Sequence, residues 1–257
     1  MIPPLIYPFA IGIIPALSSA ISRKNHEECA LQTESAFRLA AIIAIPCAVG
    51  MGALSKNIVS FLFSGSEKVI ETGDYSVTTT DLAASALAVL APAIFFLGMI
   101  AITNSVLQAY RFERKTIIST TAGIVVKIVL TYVLSGVPGI GANGSAVGTA
   151  ACYLTVFAFN LYFVIKYTHF VPHIRRIFLK PLAAGILCGS TAVFAVRLLD
   201  GHIPDKLLTL IAILLAAVVY AGTLLVSKGF DRTDILMLPK GEKICRAMEK
   251  CGLLEKN

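Results

Sequence analysis

The sequence predicts an all-α membrane protein with about seven transmembrane helices. Hydrophobic residues make up 56% of the chain and charged residues only 14%, and the mean hydropathy is +0.80. A soluble domain usually has about a quarter charged residues. The charges are also clustered, which leaves four long windows without any, at 82–110, 128–165, 181–196 and 207–227. Because a membrane helix needs roughly 17 to 25 apolar residues, these windows hold several spans.

The predicted spans, in order, are 2–21, 37–63, 82–108, 116–137, 141–165, 181–198 and 207–227. The first, "MIPPLIYPFAIGIIPALSSAIS", has no basic segment before its apolar part, so it is interpreted as a span rather than a cleaved signal peptide. Since an outside start with a proline-rich first span is unusual for a complete protein, we expect the chain to be the back half of a larger one.

The segments between spans alternate in basic content. Most Lys and Arg lie in "SRKNHEE", "YRFERK", "KYTHFVPHIRRIFLK" and the tail from 228. The positive-inside rule makes these segments cytoplasmic, which predicts a multi-pass plasma-membrane protein with its C-terminus inside. The amphipathic tail is expected to lie on the cytoplasmic face, with partner docking as the alternative. Attraction to anionic lipid explains the net charge of +7, so no nucleic-acid partner is predicted.

A glycine motif in "VPGIGANGSAVGT" has the G-x-G-x-x-G spacing of a dinucleotide-binding loop. Such a loop also requires an acidic residue about 20 positions later, and no Asp or Glu lies between Glu113 and Asp200. The motif is therefore interpreted as a tight turn followed by a small-residue helix face that includes Gly144 and Gly148. Gly185 and Gly189 in "GILCG" predict a second close-packing face.

No metal, cofactor or enzyme chemistry is predicted. The six cysteines are scattered without a C-x-x-C pair, and Pro172 interrupts the i, i+4 pair of His169 and His173. A P-loop pattern is also missing, so direct use of ATP is not expected.

Lys127 is the most informative polar residue, because it lies about halfway along the predicted span 116–137. A cation near the bilayer midplane is costly unless it faces water or a partner. Thr120, Gly123, Lys127 and Thr131 share one helix face by their spacing. That face could line a cavity in which Lys127 attracts a lipid-linked diphosphate. Hydrogen bonding to neighbouring helices, or snorkelling, is the alternative for the lysine.

Two further polar stripes are candidates for substrate contact. Asn104 and Gln108 are four residues apart near the end of the span 82–108, and Asn160 lies on the span 141–165. Interhelical hydrogen bonding is the alternative explanation for both stripes. Arg38 and Arg197 lie at predicted span ends and are interpreted as interface anchors.

Several motifs, in order along the chain, together resemble one family. They are "IIPALSSAISRKNHEE", "FRLAAIIAIPCAVGMGALSKNIVSFLF", "TNSVLQAYRFERKT", "GIVVKIVLTYVL", "GIGANGSAVGTAACY" and "LPKGEKI". The chain resembles the C-terminal half of stage V sporulation protein B and related polysaccharide biosynthesis flippases. These belong to the multidrug/oligosaccharidyl-lipid/polysaccharide exporter superfamily.

The resemblance implies a C-terminal lobe plus two extra helices of a 14-helix flippase. On that pattern, 1–168 is a partial transport lobe of about five spans, 169–227 holds two additional transmembrane helices, and 228–257 is the cytoplasmic tail. The implied partners are a lipid-linked oligosaccharide, membrane lipids, and a missing N-terminal lobe or cell-wall synthesis proteins.

Three functions remain open from the sequence. The first is a flippase that moves a lipid-linked oligosaccharide or the peptidoglycan precursor of spore cortex by alternating access. The second is a membrane scaffold for cell-wall synthesis that does not transport. The third is a drug or cation antiporter of the same superfamily, which would place a carboxylate inside a span, and none of the predicted spans contains one.

Overall fold

The computed structural model describes residues 3–63, 69–72, 75–137, 141, 143–168, 174–199 and 203–227. Within these ranges it is helical apart from one small hairpin, and the predicted membrane helix bundle is confirmed. The elements are α1 (Pro3–Ser22), α2 (His26–Ala53), α3 (Ser55–Phe63), β1 (Val69–Thr72), β2 (Tyr75–Thr78), α4 (Thr79–Ala109), α5 (Glu113–Ser135), α6 (Asn143–Thr168), α7 (Ile174–Leu199) and α8 (Asp205–Val226). Among the described helices, α2 and α4 to α8 are long and apolar enough to span a bilayer, and α1 contributes the shorter apolar stretch Ala10–Ser22.

The predicted span 37–63 was wrong in its bounds. Helix α2 starts at His26 because the Asn25 side chain caps it, accepting a hydrogen bond from the Glu28 backbone N–H at 3.2 Å. Helix α2 ends at Ala53, and α3 follows as a separate helix. Arg38 therefore lies in the middle of α2 and is only 7% exposed, so it is not the interface anchor that its sequence position indicated.

The helices pack in the spatial order α5, α6, α4, α2, α7, α8, and α1 packs against both α2 and α4. One end of the bundle carries the α1–α2 and α4–α5 turns, and there the Phe112 ring lies 4.7 Å from the Tyr167 ring at the end of α6. At the opposite end, Lys56 of α3 pairs with Asp81 of α4 at 2.9 Å. We call the end with the α4–α5 turn the basic end.

The small-residue faces predicted from the glycine motifs are confirmed. A Cβ at Gly144 would lie 2.8 Å from the Ser135 nitrogen, and one at Gly148 would overlap the Thr131 side chain. A Cβ at Gly185 would lie 2.6 Å from Ile45 and one at Gly189 would lie 2.5 Å from Val49. Glycine thus lets α6 approach α5, and α7 approach α2. Residues 138–140 and 142 of the predicted turn before Gly144 lie outside the described residues. Gly141 in that turn has a positive φ of 46°, a conformation that glycine adopts easily.

A proline in the middle of α2 is compensated by a side chain from α8. Pro46 has no N–H, so the carbonyl of Ile42 loses its helical donor. The Tyr220 hydroxyl donates to that carbonyl at 2.7 Å, and Tyr220 is buried. The hydrogen bond therefore ties α8 to the proline break in α2.

We expect Tyr220→Phe to lower the free energy of unfolding by about 1 to 2 kcal/mol, because it leaves a buried carbonyl without a donor. In a Pro46→Ala background the same change should cost much less, since the backbone N–H of the introduced alanine can supply that donor. Unfolding by denaturing detergent, followed by circular dichroism, measures this double-mutant cycle. Tyr132→Phe on the exposed face of α5 is the matched control. An equal loss for Tyr220→Phe in both backgrounds would contradict the assignment.

Candidate functional site

Lys127 is an exposed cation within a candidate membrane span. It lies on the 23-residue helix α5, and it follows the first residue of that helix by 14 positions. No ion pair or hydrogen bond to its ammonium group is found among the described residues. Helix α5 is also the least buried of the candidate spans, with 11% of its apolar window buried. The ammonium group is thus free to meet a charged partner beyond the described residues.

The residues predicted to share a face with Lys127 are divided between two environments. Thr120 is exposed, as Lys127 is. Gly123 is buried against Val156 and Cys152 of α6, and the Thr131 hydroxyl is a buried atom beside Gly148. The stripe thus runs along the edge of the α5–α6 contact. Only Lys127 and Thr120 are accessible to a ligand in this conformation.

The second and third polar stripes meet between α4 and α6. The Asn160 amide donates to the Asn104 side-chain oxygen at 2.7 Å and to the Thr103 hydroxyl at 3.2 Å. Asn160 is 0% exposed, and its own amide oxygen has no hydrogen-bond partner among the described residues. Gln108, one turn beyond Asn104, is exposed. Asn160 and Asn104 therefore join two helices by hydrogen bonds, while Gln108 remains accessible.

An apolar cavity of about 490 Å³ lies between α2, α4 and α7. Its walls carry only apolar side chains and glycine, among them Ile45, Val49, Phe95, Phe178 and Leu182. A cavity of this size and lining fits hydrocarbon rather than a polar solute.

Each helix around the apolar cavity contains a proline: Pro46 in α2, Pro92 in α4 and Pro181 in α7. The sequence placed Pro181 at the start of a span, but α7 begins at Ile174, so this proline lies inside the helix. Proline removes one backbone hydrogen bond, which makes each wall easier to bend. The apolar cavity was not predicted from the sequence, because its walls come from three helices that are distant along the chain.

The described residues contain no group of three or more His, Cys, Asp or Glu side chains that could hold a metal ion. Four cysteines in these ranges are free thiols, at 29, 47, 152 and 188. The chemistry available to the described site is therefore one cation, amide and hydroxyl groups, and a large apolar surface. These groups can bind and orient a ligand.

The architecture and these groups define a multi-pass α-helical membrane protein whose accessible groups can bind an amphipathic ligand. The family model described as "Lipid II flippase MurJ" matches residues 6–225, and the chain belongs to this family. The resemblance to oligosaccharide-lipid flippases that the motifs indicated is thereby confirmed.

Known proteins also resemble the chain. A solved structure described as "Lipid II flippase MurJ, inward closed conformation" superposes with a TM-score of 0.62 at 21% identity, covering 86% of this chain and 44% of that one. The "Uncharacterized membrane protein YabM" of Bacillus subtilis (strain 168) is 22% identical over 247 residues, which is 94% of this chain and 43% of that protein. The chain thus spans less than half the length of each.

Proposed function

We propose that the chain forms the C-terminal half of a flippase that translocates a lipid-linked oligosaccharide or the peptidoglycan precursor lipid II. In this proposal the transport unit also needs an N-terminal lobe, because the chain covers only 43% and 44% of the two relatives. The two lobes rock against each other around a central site, which gives alternating access. The observation that carries the proposal is Lys127, an exposed cation without an ion pair in the described chain, on a membrane helix of a flippase-family protein.

Lys127 supplies the polar half of substrate recognition. A diphosphate carries strong acceptor oxygens and negative charge, and an ammonium group binds it as a point charge. The exposed Thr120 hydroxyl and the Gln108 amide extend the polar surface toward the basic end. In this proposal Asn104 and Asn160 join α4 to α6 by their hydrogen bond rather than contact the ligand, and the Thr131 hydroxyl is buried in the α5–α6 contact.

The apolar cavity supplies the apolar half of substrate recognition. It accommodates part of the polyisoprenoid tail between α2, α4 and α7. The cavity walls are as apolar as the bilayer interior, so a tail segment can enter from the surrounding lipid without exposing hydrocarbon to water. Its three proline-containing walls are suited to a cavity that opens and closes during transport.

We infer that the basic end is cytoplasmic. The described helices and turns place seven Lys or Arg side chains near this end, at 23, 24, 111, 114, 115, 166 and 180, and three near the other, at 56, 197 and 206. An excess of Lys and Arg marks the cytoplasmic side of membrane proteins. In this orientation α7 enters the membrane from the cytoplasm and α8 returns to the cytoplasm, so the C-terminal tail is cytoplasmic.

The function is tested by reconstituting the chain, alone and together with an N-terminal lobe of a relative, into proteoliposomes that contain fluorescent lipid II. A membrane-impermeant quencher measures how much headgroup crosses the bilayer. We expect translocation only with both lobes present. Efflux of a cationic dye without lipid II movement would favour the antiporter, and recruitment of cell-wall enzymes without either activity would favour the scaffold.

A further inference from the structure

A cluster of two lysines and three aromatic rings lies at the basic end, where α5 begins and α6 ends. The Lys115 ammonium lies 5.2 Å from the centre of the Tyr167 ring and 5.5 Å from that of Phe163. The Lys166 ammonium lies 5.9 Å from the Tyr167 ring and 5.5 Å from the Tyr162 ring. Both distances to Tyr167 are within the range of a cation–π contact. Two cations on neighbouring helices thus share one aromatic ring. We call these five residues the cation–aromatic cluster.

The cluster is held in place by the α4–α5 turn. Phe112 in that turn packs against Tyr167, with ring centres 4.7 Å apart. The preceding Arg111 has a φ of 61°, a left-handed conformation that is unfavourable for a residue with a side chain. A glycine would adopt it more easily, yet the chain has a third cation, which is exposed, at this point. The turn therefore adds positive charge beside rings that are already fixed.

The charges of the cluster are not neutralised within the described residues. Neither lysine forms an ion pair there, and among those residues the Lys166 ammonium donates only to the Tyr162 hydroxyl, at 3.4 Å. Glu113 is the acidic residue in the same turn, and it is exposed and makes no ion pair with either lysine. The cluster consequently has positive charge and hydrogen-bond donors to spare.

We propose that the cation–aromatic cluster binds the phosphate headgroup of an anionic phospholipid from the surrounding leaflet. Two adjacent ammonium groups match the charge and acceptor oxygens of a phosphodiester, while the aromatic rings offer apolar surface to the upper acyl chains. Tyrosine and lysine together are typical of the membrane–water interface, where such lipids lie. Lys127 is twelve residues further along α5, about 18 Å away at the helical rise. The lipid site is thus separate from the proposed transport site and does not depend on it.

The test compares lipid binding by the detergent-solubilised 257-residue chain and its Lys115→Gln/Lys166→Gln variant. Short-chain phosphatidylglycerol and phosphatidylcholine serve as probes, and native mass spectrometry counts the bound lipids. We expect the intact chain to prefer phosphatidylglycerol. The double variant should lose at least about tenfold in apparent affinity for it, since each lysine near a lipid surface contributes substantially to binding. Tyr167→Leu, which keeps both charges, should also weaken binding several-fold.

The control variant Lys24→Asn/Lys206→Gln removes two exposed charges outside the cluster, and asparagine tolerates the positive φ of 55° at position 24. It should bind phosphatidylglycerol as the intact chain does. Equal losses in both double variants, or no effect of Tyr167→Leu, would overturn the proposal in favour of diffuse attraction. Displacement of the lipid by inorganic phosphate at an equal concentration would overturn it in favour of a simple anion site. Circular dichroism and melting temperature verify that each variant is folded.

Discussion

Lys127→Glu is expected to reduce lipid II translocation at least tenfold in the two-lobe transporter. The change replaces an attraction between the ammonium group and a diphosphate by a repulsion of similar size. At about 4 Å and an effective dielectric constant of about 20, each is worth roughly 4 kcal/mol per pair of charges. Lys127→Arg should keep most of the activity because it keeps the positive charge, and Lys127→Ala should fall between the two. Quencher-accessible fluorescent lipid II in proteoliposomes measures the rates.

The control for Lys127→Glu is Lys206→Glu, a charge reversal at an exposed lysine near the start of α8. It should leave translocation unchanged. If Lys127 has only a structural role, Lys127→Glu should instead lower the stability of the folded chain. The fraction of the protein that folds should then transport at the normal rate. Undiminished transport in both Lys127→Ala and Lys127→Glu would remove this residue from the mechanism.

Lys127 could be found in the sequence because the cost of a cation in hydrocarbon depends on its position along an apolar run, which the sequence shows directly. The small-residue faces were predictable for a similar reason. Glycines four residues apart on an apolar helix have few roles other than close packing, and Gly185 and Gly189 indeed lie against Ile45 and Val49.

Arg38 shows what an apolar run in the sequence cannot reveal. The predicted span began at residue 37, which placed Arg38 at its end, but the cap at Asn25 starts α2 eleven residues earlier than that. Helix α2 therefore carries Glu34 and Arg38 into the bundle, where Arg38 is buried. Burial of a charged side chain depends on neighbouring helices that are distant in the sequence, so hydropathy alone assigned it to the surface.

The contacts of Asn160 and Tyr220 could not be predicted either, because each depends on two helices far apart in the sequence. Asn160 meets Asn104 across 56 residues, and Tyr220 meets the Ile42 carbonyl across 178. The polar pattern marked Asn160 and Asn104 as candidates for either ligand or interhelical contact. Only their arrangement in space shows that they bond to each other, which leaves Lys127 as the exposed charged group of the proposed site.

Gly123→Leu is expected to destabilise the chain by about 2 to 3 kcal/mol and to detach α5 from the bundle. A Cβ at this position would overlap Val156 of α6 and lie 3.0 Å from the Cys152 carbonyl oxygen, so the larger side chain must force the two helices apart. Helix α5 packs mainly against α6, with a smaller contact to α4, and has little other support in the described chain.

Gly222→Leu on α8 is the matched control for Gly123→Leu, because nothing in the described chain lies within 4 Å of a Cβ there. Leucine favours helix over glycine by up to about 1 kcal/mol, so the control should be neutral or slightly stabilising, opposite in sign to the Gly123 variant. Detergent-induced unfolding gives the stabilities, and protease cleavage near the α4–α5 turn reports whether α5 has separated. Because α5 carries Lys127, the Gly123 variant should also lose translocation while its Lys127 is intact. Equal stability changes at both glycines would show that α5 does not depend on close approach to α6.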